Sequence, residues 1–513
     1  YYGTYQQSSD GNGGYNTDPI KWRVLSNEEG TQPDEGDKLF LLADQNLDVV
    51  QYHKNLTSIT WEGSDIREWL NNGISGFLGS AFSEAEQGAI PYTKVVNDNN
   101  PDHGTLGGND TEDYIFLLSL DEVQKTEYGF SSDIDRVATN TAYVAGGGTL
   151  GRYQLGSDGM EWDWWLRSPG FDDDLAAVVN DFGGVGRNGN LVNNVLIAVR
   201  PAFKLNLEFV LFTSAAKGGK IPAASGSGSS SGAAVGEIFE IGPATGDDWK
   251  MTILDSGRNF KVSESEVRGR EGGTIALNYT GATVKTDTAP NEYISVMITD
   301  STGRAVYYGR IIQPTEADGT VELTLPDSLV EGDYTLKVFS EQYNGGENDD
   351  TKLTDYGSAF SDVALKIDNT APTLTAGEVT RASDTSATVK FTSNEAGTYY
   401  YEVVEGGASE PSIDTTGAGT ACDTSEQTIT LDNLTAGAKD IWIVAKDGVG
   451  NVSDPLKIEI PAYIPPSHGI SASPLALDFG TLTEGYASVP EAQTVTVENT
   501  GNQSVTISLP AST

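Results

Sequence analysis

The sequence predicts a multidomain chain, with an α+β N-terminal domain followed by all-β sandwiches. Three observations carry this reading. "GGKIPAASGSGSSSGAAVG", Gly218 to Gly236, is too rich in Gly, Ser and Ala to pack a core and reads as a flexible linker. The stretch before it mixes helix-period and strand-period patterns, whereas the stretch after it carries β-branched and aromatic runs separated by turn signals. With 513 residues the chain is long enough for several domains, at roughly 100–200 residues each.

Within residues 1–212, "PIKWRVL" and "KLFLLAD" alternate like strands, and "DYIFLLSL" reads as a buried strand. "SDIREWLNNGISGFL" places Ile66, Trp69 and Leu70 at helical spacing behind an N-cap at Ser64 or Asp65. In "SEAEQGAI", Ser83 and Glu86 form a capping box. Two short helices among many strands are expected. Residues 213–236 come next as the linker. Over 237–369, "TIALNYT", "EYISVMITD", "AVYYGRII", "TVELTL" and "GDYTLKVFS" have the spacing of an antiparallel sandwich. "DNTAPTLT", Asp368 to Thr375, marks a junction. Residues 370–462 then hold a second sandwich, built from "SATVKFTSN", "GTYYYEVV", "QTITLDNL" and "KDIWIVAKDGVGNVS". After the proline-stiffened "YIPPSHG", residues 470–513 begin a third β-module, with "LALDFGTLTEG" and "AQTVTVENTGNQSVTISL" as its strands; this piece is too short to close a sandwich alone.

The balance of 74 acidic against 31 basic residues, a formal charge of −43, repels phosphate. Nucleic acid and anionic membrane surfaces are therefore excluded as partners. No apolar run is long enough for a bilayer span, so no membrane insertion is expected within the chain. The single cysteine, Cys422, rules out an internal disulfide and a cysteine-based zinc site, and His53, His103 and His468 are too scattered for a metal triad. Neither metal nor cofactor is expected. Few cysteines, high acidity and many Thr, Asn and Gly point to an exported or surface protein of a Gram-positive-type bacterium. Tyr1 opens inside a strand pattern with no signal peptide, as expected of a processed piece.

Several motifs invite chemistry and fail on context. Gly184, Gly186 and Gly189 satisfy G-x-G-x-x-G, but a dinucleotide site needs a helix there. The chain instead continues with "NLVNNVLIAVRP", which has poor helix formers and a stop at Pro201. A G-x-S-x-G match around Ser230 lies inside the linker, away from any strand or helix. "FDDD", Phe171 to Asp174, offers hard oxygen ligands without the spacing of a calcium loop and reads as a solvated acidic turn. "EWDWW", Glu161 to Trp165, runs into apolar "WLRSP", so core packing is favoured over sugar stacking. No Ser/His/Asp or Cys/His set assembles, and no catalytic residue is assigned.

The serial order "YYGTYQQ", "PIKWRVL", "LFLLADQNLDVVQYH", "WEGSDIREWLN", "AFSEAEQGAI", "DYIFLLSLDEV", "WWLRSPG", "VRPAFKLNL" resembles a domain of unknown function common in surface proteins of Firmicutes. That domain is similar in plan to the C-type lectin-like fold, whose other members include formylglycine-generating enzymes and the variable proteins of diversity-generating retroelements. The resemblance implies a C-type lectin-like ligand-binding domain over 1–212. The enzymatic branch handles copper and oxygen with a cysteine pair, and these residues contain no cysteine. In the variable proteins, diversified residues lie in the C-terminal part of the domain and arise by mutation of adenines, often in asparagine codons. Such codons cannot yield Lys, Glu, Gln, Met or Trp, and none of these occurs between Phe171 and Ala198. The resemblance therefore implies a ligand-binding set of Asp172, Asp173, Asp181, Phe182, Arg187, Asn188, Asn190, Leu191, Asn193, Asn194 and Leu196. Where relatives tend to carry Asn-Gly before the final V-R-P-A, this chain has Ile197-Ala198. Within the segment, Val192, Val195, Ile197 and Val199 are expected to alternate inward as a buried strand, turning Leu191, Asn193, Asn194 and Leu196 outward. Such exposed apolar groups and orienting amides on a rigid platform suit recognition.

The later strands resemble bacterial immunoglobulin-like repeats, of which "AKDGVGNVS" is a recurrent ending. "LDFGTLTEG" with "VTVENTGNQSVTI" resembles modules of the Abnormal-spindle/Hydin type. Both resemblances imply spacers. The expected function is a non-enzymatic surface or secreted protein whose head binds a protein or glycan on a host, a phage or another bacterium. A mobile linker would let that head reorient. The alternatives are a structural component of a surface layer or fibre, and an enzyme acting on glycan polymers near Trp162 to Trp165.

Overall fold

Apolar side chains of the chain collect in three main cores, and each core is closed by strands that the sequence pattern places around it. The computed structural model describes residues 1–30, 36–151, 153–222, 235–242, 246–481, 484–485 and 487–508. They form two compact units, Tyr1–Asp368 and Asn369–Thr513. Mostly β architecture runs through both. No helix among the described residues is long and apolar enough to cross a membrane.

The first unit opens with the α+β head. Its five-stranded sheet runs in the order Val185–Leu191, Leu175–Val179, Trp164–Pro169, Ala198–Val199, Asp48–Val49. A four-stranded antiparallel sheet runs Trp22–Glu28, Lys38–Ala43, Ala202–Asn206, Ile115–Phe116. Every residue of Trp164–Pro169 is buried. Both faces of that strand are covered, which is why "WWLRSP" reads as a continuous run instead of an alternation. Trp164 and Trp165 are core residues, as their context predicts.

Helix Asp65–Asn71 starts where Ser64 Oγ accepts the Arg67 N–H, and it buries Ile66 and Leu70. Glu84–Gly88 carries the expected capping box, with Ser83 and Glu86 each accepting the other's backbone N–H. Two further helical turns, Phe77–Ala81 and Ala142–Ala145, add to the two helices expected. Segments of five and four residues are too short to display a 3.6-residue period.

The adjoining sandwich pairs Glu292–Thr299 with Ala305–Ile312 and Gly332–Gln342, and the last of these with Ser361–Ile367. Thr274–Thr280 alternates strictly, burying Ile275, Leu277 and Tyr279. One strand departs from the expected boundaries. Val210–Ala215 pairs antiparallel with Trp249–Leu254, inside the sheet of this sandwich. The limit at 212/213 thus falls within a strand, and the linker read over 213–236 begins as folded chain. Residues 223–234 of it, with Ser230 among them, lie outside the described residues.

Lys220 is the reason the fold extends past the strand. It is buried, and its Nζ donates to Thr252 Oγ1 at 2.7 Å, Glu341 Oε1 at 2.6 Å and Asp355 Oδ2 at 2.8 Å. A second buried lysine, Lys250, pairs with Asp349 and with Asp355. The carboxylate partners lie more than 90 positions further along the chain, so no local window could reveal that a lysine in a glycine-rich stretch is a core residue.

In the second unit, Leu374–Arg381, Ala387–Ser393 and Gln427–Leu431 form one sheet, and Thr420–Cys422, Gly397–Glu405, Lys439–Asp447 and Leu456–Ile460 the other. Val389, Phe391, Ile441 and Ile443 are among the buried residues between them. Beyond, Ile470–Ser473 pairs with Thr496–Asn499. The "LALDF" stretch expected as a strand is not one. Among the described residues no second sheet covers this pair, so Leu475 and Val489 stay exposed.

Removing one partner from a buried charge set strands the others. Lys220→Met is expected to destabilise the first unit by about 3–5 kcal/mol, read as a fall in the midpoint of its unfolding transition. Burial pushes the Asp355 carboxyl up, but Lys220 and Lys250 outweigh this and hold it below the usual carboxylate range. A depressed carboxyl stabilises above its unfolded pKa and loses that contribution as pH falls through its folded value. The first unit should therefore melt at lower temperature on acidification below the normal carboxylate range, and calorimetry across pH checks this.

Candidate ligand-binding surface

The segment Phe171 to Ala198 is built on a hairpin, with Leu175–Val179 paired to Val185–Leu191. The ladder is not regular. Ala176 faces Asn190 and Val178 faces Gly186, so Ala177 alone stands opposite Arg187, Asn188 and Gly189. A bulge of this kind bends the strand and re-aims its side chains. The hairpin does not continue to Val199 as one alternating strand, contrary to expectation. It ends at Leu191, a turn intervenes, and Ala198–Val199 enters the sheet on the other side of Trp164–Pro169. Val192, Ile197 and Val199 are buried as expected, while Val195 is only half-buried in the turn. The glycines 184, 186 and 189 lie at or in a strand with no helix after them.

Two glycines make the close approach possible. Gly170 stands against the Asn188 carbonyl, which would lie 2.5 Å from a Cβ there. Gly189, at φ +76°, stands equally close to the Ala176 carbonyl. The bulge is then clamped from outside the segment. Asn100, itself buried, donates from Nδ2 to the carbonyls of Pro169 (3.0 Å), Gly170 (3.1 Å) and Arg187 (2.8 Å). Nothing in "NDNNPDHG" beyond its turn composition marks this residue, since its acceptors are distant in sequence.

The eleven expected site residues divide by environment. At the hairpin tip, Phe182 is 78% exposed, and its N–H is held by Asn180 Oδ1 at 3.1 Å. Asp181, half-buried beside it, donates its N–H to Asp163 Oδ1 at 2.9 Å. Burial pushes the Asp163 carboxyl up, with the Asp181 charge adding to the shift. At the bulge, Arg187 is pinned by Asp102 (2.7 Å) and Gln124 (2.6 Å) and is therefore partly scaffold. Asn188, exposed, meets His103 Nε2 at 3.0 Å. That imidazole stands edge-on to the exposed Phe171 ring, 4.8 Å away. Asp172 and Asp173 are exposed in the adjoining acidic turn.

The third group lies around the turn. Leu191 and Leu196 are exposed. Asn190, Asn193 and Asn194 are half-buried and mainly shape the chain. Asn190 Oδ1 accepts from Leu191 N–H and from Asn194 Nδ2, Asn194 Oδ1 accepts from Leu196 N–H, and the Asn193 carbonyl accepts from Gln51. Trp162 donates from Nε1 to the Leu196 carbonyl at 2.7 Å, bracing the turn. The hairpin ladder separates Phe182 from Leu191 by about 15–20 Å, so the expected set spans two patches. Asp102, His103, Gln124, Phe171 and Trp162 belong to this surface and were not in that set.

Losing the Asn100 amide would leave three carbonyls short of a donor, at a cost of about 1–3 kcal/mol for an unsatisfied buried group. Asn100→Ala should accelerate amide hydrogen exchange at Phe171 and Asn188 relative to Val178, which a site-resolved exchange experiment would detect.

No curated protein matches the chain. Among solved structures, the FN1–FN3 domains of chicken CNTN1 are similar at 14% identity, over 42% of this chain and 77% of that one, with a TM-score of 0.26. The fibronectin(III)-like modules of Clostridium thermocellum CbhA align at 15% identity over 40% and 93%, with a TM-score of 0.21. A tetra-tandem repeat in the extending region of a large adhesion protein aligns at 21% identity over 45% and 56%, with a TM-score of 0.17. Residues 36–207 match the family described as a domain of unknown function, DUF6273, and this part of the chain is a DUF6273 domain.

Proposed function

We propose that the chain is a non-enzymatic, extracellular ligand-binding protein of a bacterium, in which a lectin-like head recognises a protein or glycan and the immunoglobulin-like sandwiches serve as its stalk. The observation that carries this reading is the exposure of Phe171, Phe182, Leu191 and Leu196 within one short segment, on a head that also exposes Ile74, Leu106 and Ile134 elsewhere. Each sits on backbone tied by hydrogen bonds to neighbouring amides or carbonyls, so little ordering cost would attend binding. Exposed apolar anchors on rigid support are where binding energy concentrates.

In its finer form the proposal makes the head a variable protein of a diversity-generating retroelement, with Phe171 to Ala198 as the diversified segment. The absence of Lys, Glu, Gln, Met and Trp from that segment supports it. The neighbouring DNA tests it: a reverse transcriptase gene and a near-copy template of the segment are expected, and their absence removes this form.

Binding itself is tested by displaying the full chain against a glycan array and against biotinylated surface proteins of other bacteria. Phe182→Ser and the pair Leu191→Ser/Leu196→Ser are compared on whatever is captured. A central anchor is worth about 2 kcal/mol or more, so one of these variants should weaken capture at least about 30-fold with an unchanged melting profile. Undiminished capture by both would place the site elsewhere.

A further inference from the structure

The charge set at the end of the head has a geometry that ordinary ion pairing does not need. Lys220, Lys250, Arg310, Glu341, Asp349 and Asp355 are all buried, three cations against three anions. Within it, Lys250 Nζ lies 2.5 Å from Asp349 Oδ1, and both groups are fully buried. Neither atom makes a hydrogen bond of normal geometry, so this is an approach of nitrogen to carboxyl that is not aligned as donor to acceptor. Asp349 is held there by its surroundings. Its backbone sits at φ +49°, a state a residue with a side chain adopts at a cost. Its Oδ2 accepts the Lys220 N–H at 2.8 Å and its carbonyl accepts the Gly218 N–H at 2.7 Å. Asp355 Oδ2 stands 3.1 Å from the same Lys250 nitrogen, and the Tyr343 ring covers it at 5.1 Å.

We propose that Lys250 and Asp349 join covalently, the side-chain amine and carboxyl condensing into a single amide that crosslinks strand Trp249–Leu254 to the loop after Gly332–Gln342. A proton of the Lys250 ammonium passes to Asp355 only as a transient carrier, since the Asp355 anion is the resting state, and this frees the nitrogen lone pair. The nitrogen attacks Cγ of Asp349, the carbon bonded to the oxygen it already touches. A C–N bond forms and the C–Oδ1 bond breaks. The departing oxygen carries off the proton held by Asp355 and a second proton from the nitrogen, and leaves as water. Ammonium plus carboxylate become amide plus water, so atoms and charge balance with no oxidant, reductant or activating group. Burial drives the step, because two charges costly to hold away from water disappear. The four that remain, Lys220 and Arg310 against Glu341 and Asp355, still match.

Intact-mass spectrometry of the full chain tests this. The expected mass is short by one water, and proteolysis followed by fragmentation should give one branched peptide joining Lys250 to Asp349. Lys250→Arg keeps the positive charge but cannot form the amide, and its mass should be that of the complete sequence. A wild-type chain of full mass overturns the proposal. So does a missing water that persists in Lys250→Arg, or a branched peptide joining other residues.

Discussion

Two lysines and three carboxylates share a space closed to water at the base of the head, and each charge there is tolerable only because the others are present. Their pairing reaches from Lys220, just past the head, to Glu341, Asp349 and Asp355 deep in the sandwich sequence. It carries the glycine-rich 217–220 stretch into the fold and lets Val210–Ala215 serve as a strand of the sandwich. Met251 and Ile253 of the adjoining strand in turn complete the core of the head. The two domains of the first unit are consequently not a ball and a tether. They share a strand pair, a core and a set of charges.

The head applies the opposite economy at its outer surface. Its central strand is dry on both faces, and the neighbouring hairpin is distorted by a bulge whose backbone is held by a neutral amide, with the Arg187–Asp102 pair bracing it from the side. Asn100 grips three carbonyls while Asn190 and Asn194 lock the turn. Amides suit this task because one side chain both donates and accepts without the desolvation cost of a charge. The asparagines of the segment therefore hold the backbone, and the exposed phenylalanines and leucines are left free of structural duty.

Much of this was legible in advance, and the limits have physical causes. The capping box at Ser83 and Glu86, the inward alternation of Thr274–Thr280 and the core role of Trp164 and Trp165 arise from local periodicity and capping chemistry, which a sequence window contains. Exposure of Phe182, Leu191 and Leu196 was readable too. The bulge was not, because it depends on Gly170 and Gly189 meeting carbonyls of another strand. Arg187 read as an outward binding group because Asp102 and Gln124 lie far from it in sequence. Lys220 read as linker for the same reason. Local composition reports propensity, whereas these positions are decided by partners that only the fold brings near.

The strand Trp249–Leu254 lies between Val210–Ala215, antiparallel to it, and Asp355–Gly357, parallel to it. On the proposed reading, in which the head grips a ligand, tension passing into the sandwich would load this trio. Pulled lengthwise, neighbouring strands slide and must break their hydrogen bonds together, which resists force far better than unzipping them singly. A head joined in this way would pass mechanical load to the sandwich instead of yielding at the joint, a property of use if flow or motion pulls on the proposed ligand bond.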